Sequence, residues 1–135
     1  MAAYYFDSSA LVKRYADEVG NPWVGRLMDS QLRHDIFTAL ITGVEIVAAI
    51  ARKARVGSIA MQEAKVTITV FRAHFKTNYL IVLTGTPVVE LAMDLAERHG
   101  LRGYDAIQLA SALTVQAELN ANSTGLAAFV SADTN

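Results

Sequence analysis

Short, uninterrupted apolar runs alternate along this chain with longer stretches in which apolar residues recur every third or fourth position. The short runs are Ala3–Phe6, residues 35–40, residues 79–83 and Leu126–Val130. Such runs predict strands covered on both faces of a sheet. Asp7-Ser8-Ser9 offers helix-capping chemistry after the first run. The helix it opens carries Ala10, Leu11, Val12 and Tyr15 inward, sets Lys13, Arg14, Asp17 and Glu18 on its polar side, and stops at Gly20. Asn21-Pro22 predicts a restart to Ser30, because proline at the first helical position gives up no needed N–H. Thr42-Gly43 leads into a helix through Val44, Ile46, Val47 and Ile50, closed by Arg52, Lys53 and Arg55, whose charges suit the helix dipole. Residues 58–74 have helical apolar spacing despite the β-branched stretch 66–70. Thr86-Pro87 opens a helix that His99-Gly100 closes, and residues 103–119 form another with Ile107, Ala110, Leu113 and Ala117 on its apolar side. Residues 120–125 read as a polar loop.

Long helical connections between strands imply parallel pairing. The expected architecture is therefore α/β, with helices around a small parallel sheet. A length of 135 residues suits one domain. Hydrophobic residues reach 53% and charged residues only 19%, the reverse of a disordered chain. The absence of cysteine removes disulfide scaffolds, thiolate zinc sites, iron–sulfur clusters and a thiol nucleophile, and suits a reducing cytoplasmic setting. A net charge of −1 gives no general clamp for nucleic acid, so any such affinity must rest on a local strip or a bound cation. No apolar run approaches the roughly 20 residues that span a bilayer. Residues 1–7 lack the basic start of a signal peptide.

Four acids occupy unusual places. Asp7 directly follows the first strand and Asp133 closely follows the last. In an open parallel sheet the carboxyl ends of strands are where sites form. Glu45 stands among Ile41, Ala48 and Ala49, and Asp105 opens an apolar helix after Gly103-Tyr104. Each acid also has a plain use: Asp7 as a helix cap, Asp105 as a dipole partner, Glu45 turned to solvent, Asp133 in a turn. If the four converge, their mutual repulsion demands a cation, about 4 kcal/mol for each pair of like charges 4 Å apart at an effective dielectric near 20. Oxygen-only ligands select Mg²⁺ or Mn²⁺ over zinc or copper. An ion of that kind acidifies water and stabilises charge on phosphate oxygens, which is the chemistry of phosphodiester hydrolysis.

The motifs around these acids resemble one family. Tyr5-Phe6-Asp7-Ser8-Ser9-Ala10-Leu11-Val12-Lys13-Arg14-Tyr15 is similar to the opening of PIN-domain ribonucleases, more narrowly the VapC toxins of bacterial toxin–antitoxin pairs. Thr42-Gly43-Val44-Glu45 resembles their second acidic motif, Leu101-Arg102-Gly103-Tyr104-Asp105-Ala106-Ile107-Gln108-Leu109-Ala110 the third, and Phe129-Val130-Ser131-Ala132-Asp133 the fourth. The resemblance implies a three-layer α/β/α PIN-like domain over residues 1–135. It implies a Mg²⁺- or Mn²⁺-dependent endoribonuclease whose metal pocket is Asp7, Glu45, Asp105 and Asp133. It also implies structured RNA such as tRNA or rRNA as substrate, a cognate antitoxin, homodimers and a cytoplasmic location. The family carries a further short helix after its fourth acid, so with the sequence ending at Asn135 that helix is expected to be missing.

Ser9 and Ser131 are placed to hydrogen-bond a neighbouring carboxylate or a water beside the metal. Arg14 and Arg102 are the candidate RNA contacts, with Lys13 another cation near the first motif. His34, His74 and His99 sit in no motif, which disfavours metal-free cleavage by a histidine pair. Phe71, Phe75 and Tyr79 suit core packing or the lining of a partner groove, and Met28, Met61 and Met93 read as core filler. Two other classes stay open here. One is a non-toxin phosphoryl hydrolase with Asp7 as covalent nucleophile, although Ser9 stands where its second aspartate would. The other is a PIN-like interaction module without catalysis.

Overall fold

Four short parallel strands form the centre of the molecule, in the spatial order β3-β2-β1-β4. The computed structural model describes residues 3–17, 35–121 and 126–130. The expected helix from Asn21 to Ser30, together with Ser131 and Asp133, lies outside them. Strand β1 (Ala3–Phe6) pairs with β2 (Asp35–Ala39) on one side and β4 (Leu126–Val130) on the other, so Tyr5 stands opposite both Phe37 and Phe129. Strand β3 (Leu80–Val82) extends the sheet beyond β2. The chain leaves β1 for a neighbour on one side and later returns to the other. That reversal opens a crevice at the carboxyl end of β1, where Asp7 begins the next element.

Two-residue alternation sorts the strand side chains between the two faces. Tyr4, Phe6, Ile36 and Ile81 join a core with helices on one face, while Tyr5, Phe37, Ala39 and Val82 pack with Ala112 and Val115 on the other. The first face is covered by α1 (Ser8–Val12), α2 (Thr42–Arg55) and α3 (Met61–Thr77). The second is covered by α5 (Gly103–Ala121), against which α4 (Thr86–His99) packs through Val88, Ala92 and Leu95. The three-layer α/β/α arrangement expected from the sequence is therefore present. Gly100 closes α4 with a left-handed φ of 63°, the terminator a glycine supplies without a Cβ clash.

The β-branched stretch 66–70 is helical. Ala64, Thr67 and Phe71 recur at helical spacing on the buried side of α3, and burial outweighs weak propensity. Thr67 and Thr69 each donate their hydroxyl to the carbonyl four residues earlier, so neither breaks the helix. Among the described residues no helix is long and apolar enough to cross a membrane.

Two expectations fail for local reasons. Met61 and Met93 are not core filler: they are 58% and 60% exposed. Met61 is the first residue of α3 and Met93 lies on a face of α4 turned from α5, whereas the buried face uses Val88, Ala92 and Leu95. Arg14 is not an exposed RNA contact but is 6% exposed. Its guanidinium carbon lies 4.3 Å from the centre of the Phe6 ring, and its Nη1 has no hydrogen-bond partner among the described residues. Arg14 lies four residues after Ala10 and three after Leu11, so it shares their buried side with Tyr15, in a π-helical turn over Lys13–Asp17 that follows Val12.

Candidate active site

Asp7 lies where β1 ends and α1 begins. It has extended backbone angles and caps α1, accepting the Ala10 N–H at 3.1 Å and the Ser9 hydroxyl at 2.7 Å, both on Oδ1. The plain use and the chemical use of this acid are therefore compatible, because capping occupies one oxygen of two. Burial to 9% exposure and fixation by the cap hold the carboxylate still.

Glu45 stands in the first turn of α2, half-buried. The Ser8 hydroxyl donates to its Oε1, and the Gln108 Nε2 donates to the same oxygen at 3.2 Å. Asp105, in the first turn of α5, is exposed. These three acids come from distant parts of the chain, yet all line one cavity of about 400 Å³ with Ser8, Ser9, Lys13 and Tyr104. Asp7, Glu45 and Asp105 thus share the wall of one cavity, while Asp133 and Ser131 lie outside the described residues. Arg102 is exposed just before α5 and does not line the cavity.

Oxygen donors dominate this cavity, and neither His74 nor His99 lines it. That donor set suits a hard divalent cation rather than zinc or copper. Among the described residues no three acids or histidines stand close enough to cage an ion. A cavity of spaced carboxylates rather than a cage fits an ion of the Mg²⁺ type, which keeps several waters and takes few protein ligands directly.

Two residues beneath the acids stand inside the motifs without a site role assigned by them. Ser8, next to Asp7, donates its hydroxyl to Glu45. Gln108 is buried on α5 at the floor of the cavity; its Oε1 accepts the Tyr5 hydroxyl at 2.6 Å, and its Nε2 donates to Ser8 at 2.8 Å and Thr42 at 2.9 Å besides Glu45. The Thr38 hydroxyl, 3.0 Å from that of Thr42 and 2.8 Å from the Phe6 carbonyl, carries the network to the sheet. The visible trace of Gln108 in the sequence is a polar residue three positions after Asp105, inside an otherwise apolar run. Tyr104 is the other omission: an aromatic ring left 58% exposed at the cavity wall.

Comparison with known proteins agrees with this geometry. The PIN domain family model matches residues 4–134. Ribonuclease VapC45 of Mycobacterium tuberculosis (strain CDC 1551 / Oshkosh) and ribonuclease VapC49 of strain ATCC 25618 / H37Rv are each 33% identical over 115 residues, covering 85% of this chain and 78% of theirs. The fold is similar to a chain in the crystal structure of VapBC2 from Rickettsia felis bound to a DNA fragment from their promoter, with a TM-score of 0.58 at 12% identity, over 84% of this chain and 81% of that one. A helix-flanked parallel sheet, an acidic cavity at its carboxyl edge and this set of relatives place the chain in the PIN-domain family, among the VapC ribonucleases.

Proposed function

We propose that the cavity bounded by Asp7, Glu45 and Asp105 hydrolyses RNA phosphodiesters with Mg²⁺ or Mn²⁺, as the toxin of a toxin–antitoxin pair in the cytoplasm. The observation that carries this reading is that three carboxylates, from the turn after β1, from α2 and from α5, line one hollow together with hydroxyl and amide oxygens. Asp7, Glu45 and Asp105 would hold the ion partly through its bound waters, with Asp133 as the expected fourth acid. Bound there, a hard divalent ion supplies Lewis acidity toward a phosphate oxygen and acidifies water.

The chain's own residues do the rest. Asp7 is immobilised by its cap. Glu45 is steered by two donors, so its carboxylate is aimed before any ligand arrives. Lys13 presents an exposed ammonium on the cavity wall, where it meets the polyanion's backbone. Tyr104 offers a ring on which an unpaired base can stack. Affinity built on one local cation and bound metal falls with salt.

An antitoxin protein is the expected partner. An apolar groove of about 570 Å³ supports this, with Val44 and Val47 of α2 and Phe71 and Phe75 of α3 in its lining. The purified protein tests the enzymatic reading on a structured RNA followed by gel. Cleavage in Mg²⁺ or Mn²⁺ that stops with EDTA and returns with excess metal is the expected result; cleavage indifferent to chelation contradicts it.

A further inference from the structure

We propose that Gln108 is a positioning residue for Glu45, with its carboxamide held in one orientation by the Tyr5 hydroxyl. The inference rests on reading the cavity as an ion site. A carboxamide has a donor end and an acceptor end of nearly equal shape, and its environment decides which faces where. Tyr5 decides it here. Its side chain is fully buried, and its hydroxyl donates to Oε1 at 2.6 Å. The opposite end, Nε2, must then face Ser8, Thr42 and Glu45, which are all acceptors at 2.8 to 3.2 Å.

Turned the other way, the amide would set a carbonyl oxygen against the Glu45 carboxylate and take a donor away from it, which is costly in a buried network. A directed chain results: Tyr5 gives to Gln108, Gln108 gives to Ser8 and Glu45, and Ser8 gives to Glu45. The chain also ties the three acids together. Tyr5 sits two residues before Asp7 on β1, and Gln108 sits three after Asp105 on one side of α5. One hydrogen bond beneath the cavity thus registers the strand bearing the first acid against the helix bearing the third, while the amide's other end aims the second.

The test uses Tyr5→Phe and Gln108→Met. Tyr5→Phe leaves every group lining the cavity in place and removes the hydroxyl that orients the amide, together with that hydroxyl's contacts to Ser111 and Ala39. Mn²⁺ binding is titrated by the electron paramagnetic resonance signal of the free ion, circular dichroism checks the fold, and cleavage supplies KM and kcat. Each variant is expected to weaken Mn²⁺ binding about tenfold, the loss typical when a partner that orients a metal ligand is removed. The double variant should lose no more than the worse single one, because both act through one chain. KM for RNA should stay near wild type while kcat at fixed metal falls. Wild-type Mn²⁺ affinity in both variants, even with a lowered melting temperature, would overturn the inference and leave the network a packing feature. Failure of the wild-type protein to bind Mn²⁺ at all would instead overturn the reading of the cavity, and this inference with it.

Discussion

Helix α2 borders two hollows of opposite chemistry. On one side Glu45 and Ala49 line the acidic cavity; on another, Val44, Val47 and Ala48 line the apolar groove shared with Phe71 and Phe75 of α3. The remaining face, Ile46 and Ile50, is fully buried in the core. Adjacent residues on a helix point about 100° apart, so Val44 and Glu45 serve different surfaces although they are neighbours. The groove is built by repetition, from apolar residues at helical spacing on two helices. The single glycine in its wall lets α3 approach: a Cβ on Gly43 would lie 3.0 Å from the Phe75 ring. The cavity is built by convergence. Its polar character on α2 rests on one residue, supported from β1, α1 and α5 through hydroxyl and amide groups. A surface of the first kind tolerates substitution gradually; a site of the second kind fails when one member changes.

The largest expected effect follows from that contrast. Asp7→Asn or Asp105→Asn should reduce RNA cleavage to background while the circular dichroism spectrum is retained. Undiminished cleavage by either variant would break the picture of a convergent site. Phe71→Ala should act the opposite way. Phe71 is buried at the base of the groove and packs into the core, and removing such a ring typically costs about 3–5 kcal/mol. Urea denaturation should show that loss, while cleavage per folded molecule stays near wild type; a proportional fall in both would mean the two hollows are not separate devices. The smallest effect is expected from Arg14→Met. Arg14 lies buried against Phe6, and a similar-sized apolar side chain relieves the orphaned Nη1 as it gives up the cation–π contact. Stability should shift by less than about 1 kcal/mol. The salt dependence of RNA binding should not change, whereas loss of a true phosphate contact lowers its slope by about 1.

Much of the fold is legible in the residue pattern. The four strands begin and end within about a residue or two of their apolar runs, and Pro87 and Gly100 mark both ends of α4. Parallel pairing follows from the helical connections. The meeting of Asp7, Glu45 and Asp105 is foreshadowed by three charges standing where apolar neighbours would be expected. What residue type cannot supply is whether a charged side chain turns out to solvent. Arg14 reads as a solvent-facing cation because of its charge, yet it falls four residues after Ala10 and three after Leu11, on the buried side. Ser8 is overlooked because Ser9 stands at the expected distance from Asp7, and both prove to be engaged, with different acids. Gln108 is overlooked because a neutral amide in an apolar helix carries no charge anomaly; its meaning depends on Tyr5, more than a hundred residues away in sequence.

The most direct measurement is a crystal structure of the protein soaked in Mn²⁺, with anomalous density locating the ion. Density within ligand distance of carboxylate oxygens from Asp7, Glu45 and Asp105, or bridged to them by water, is the predicted result. A protein that cleaves RNA in Mn²⁺ yet holds the ion away from this cavity would contradict the account.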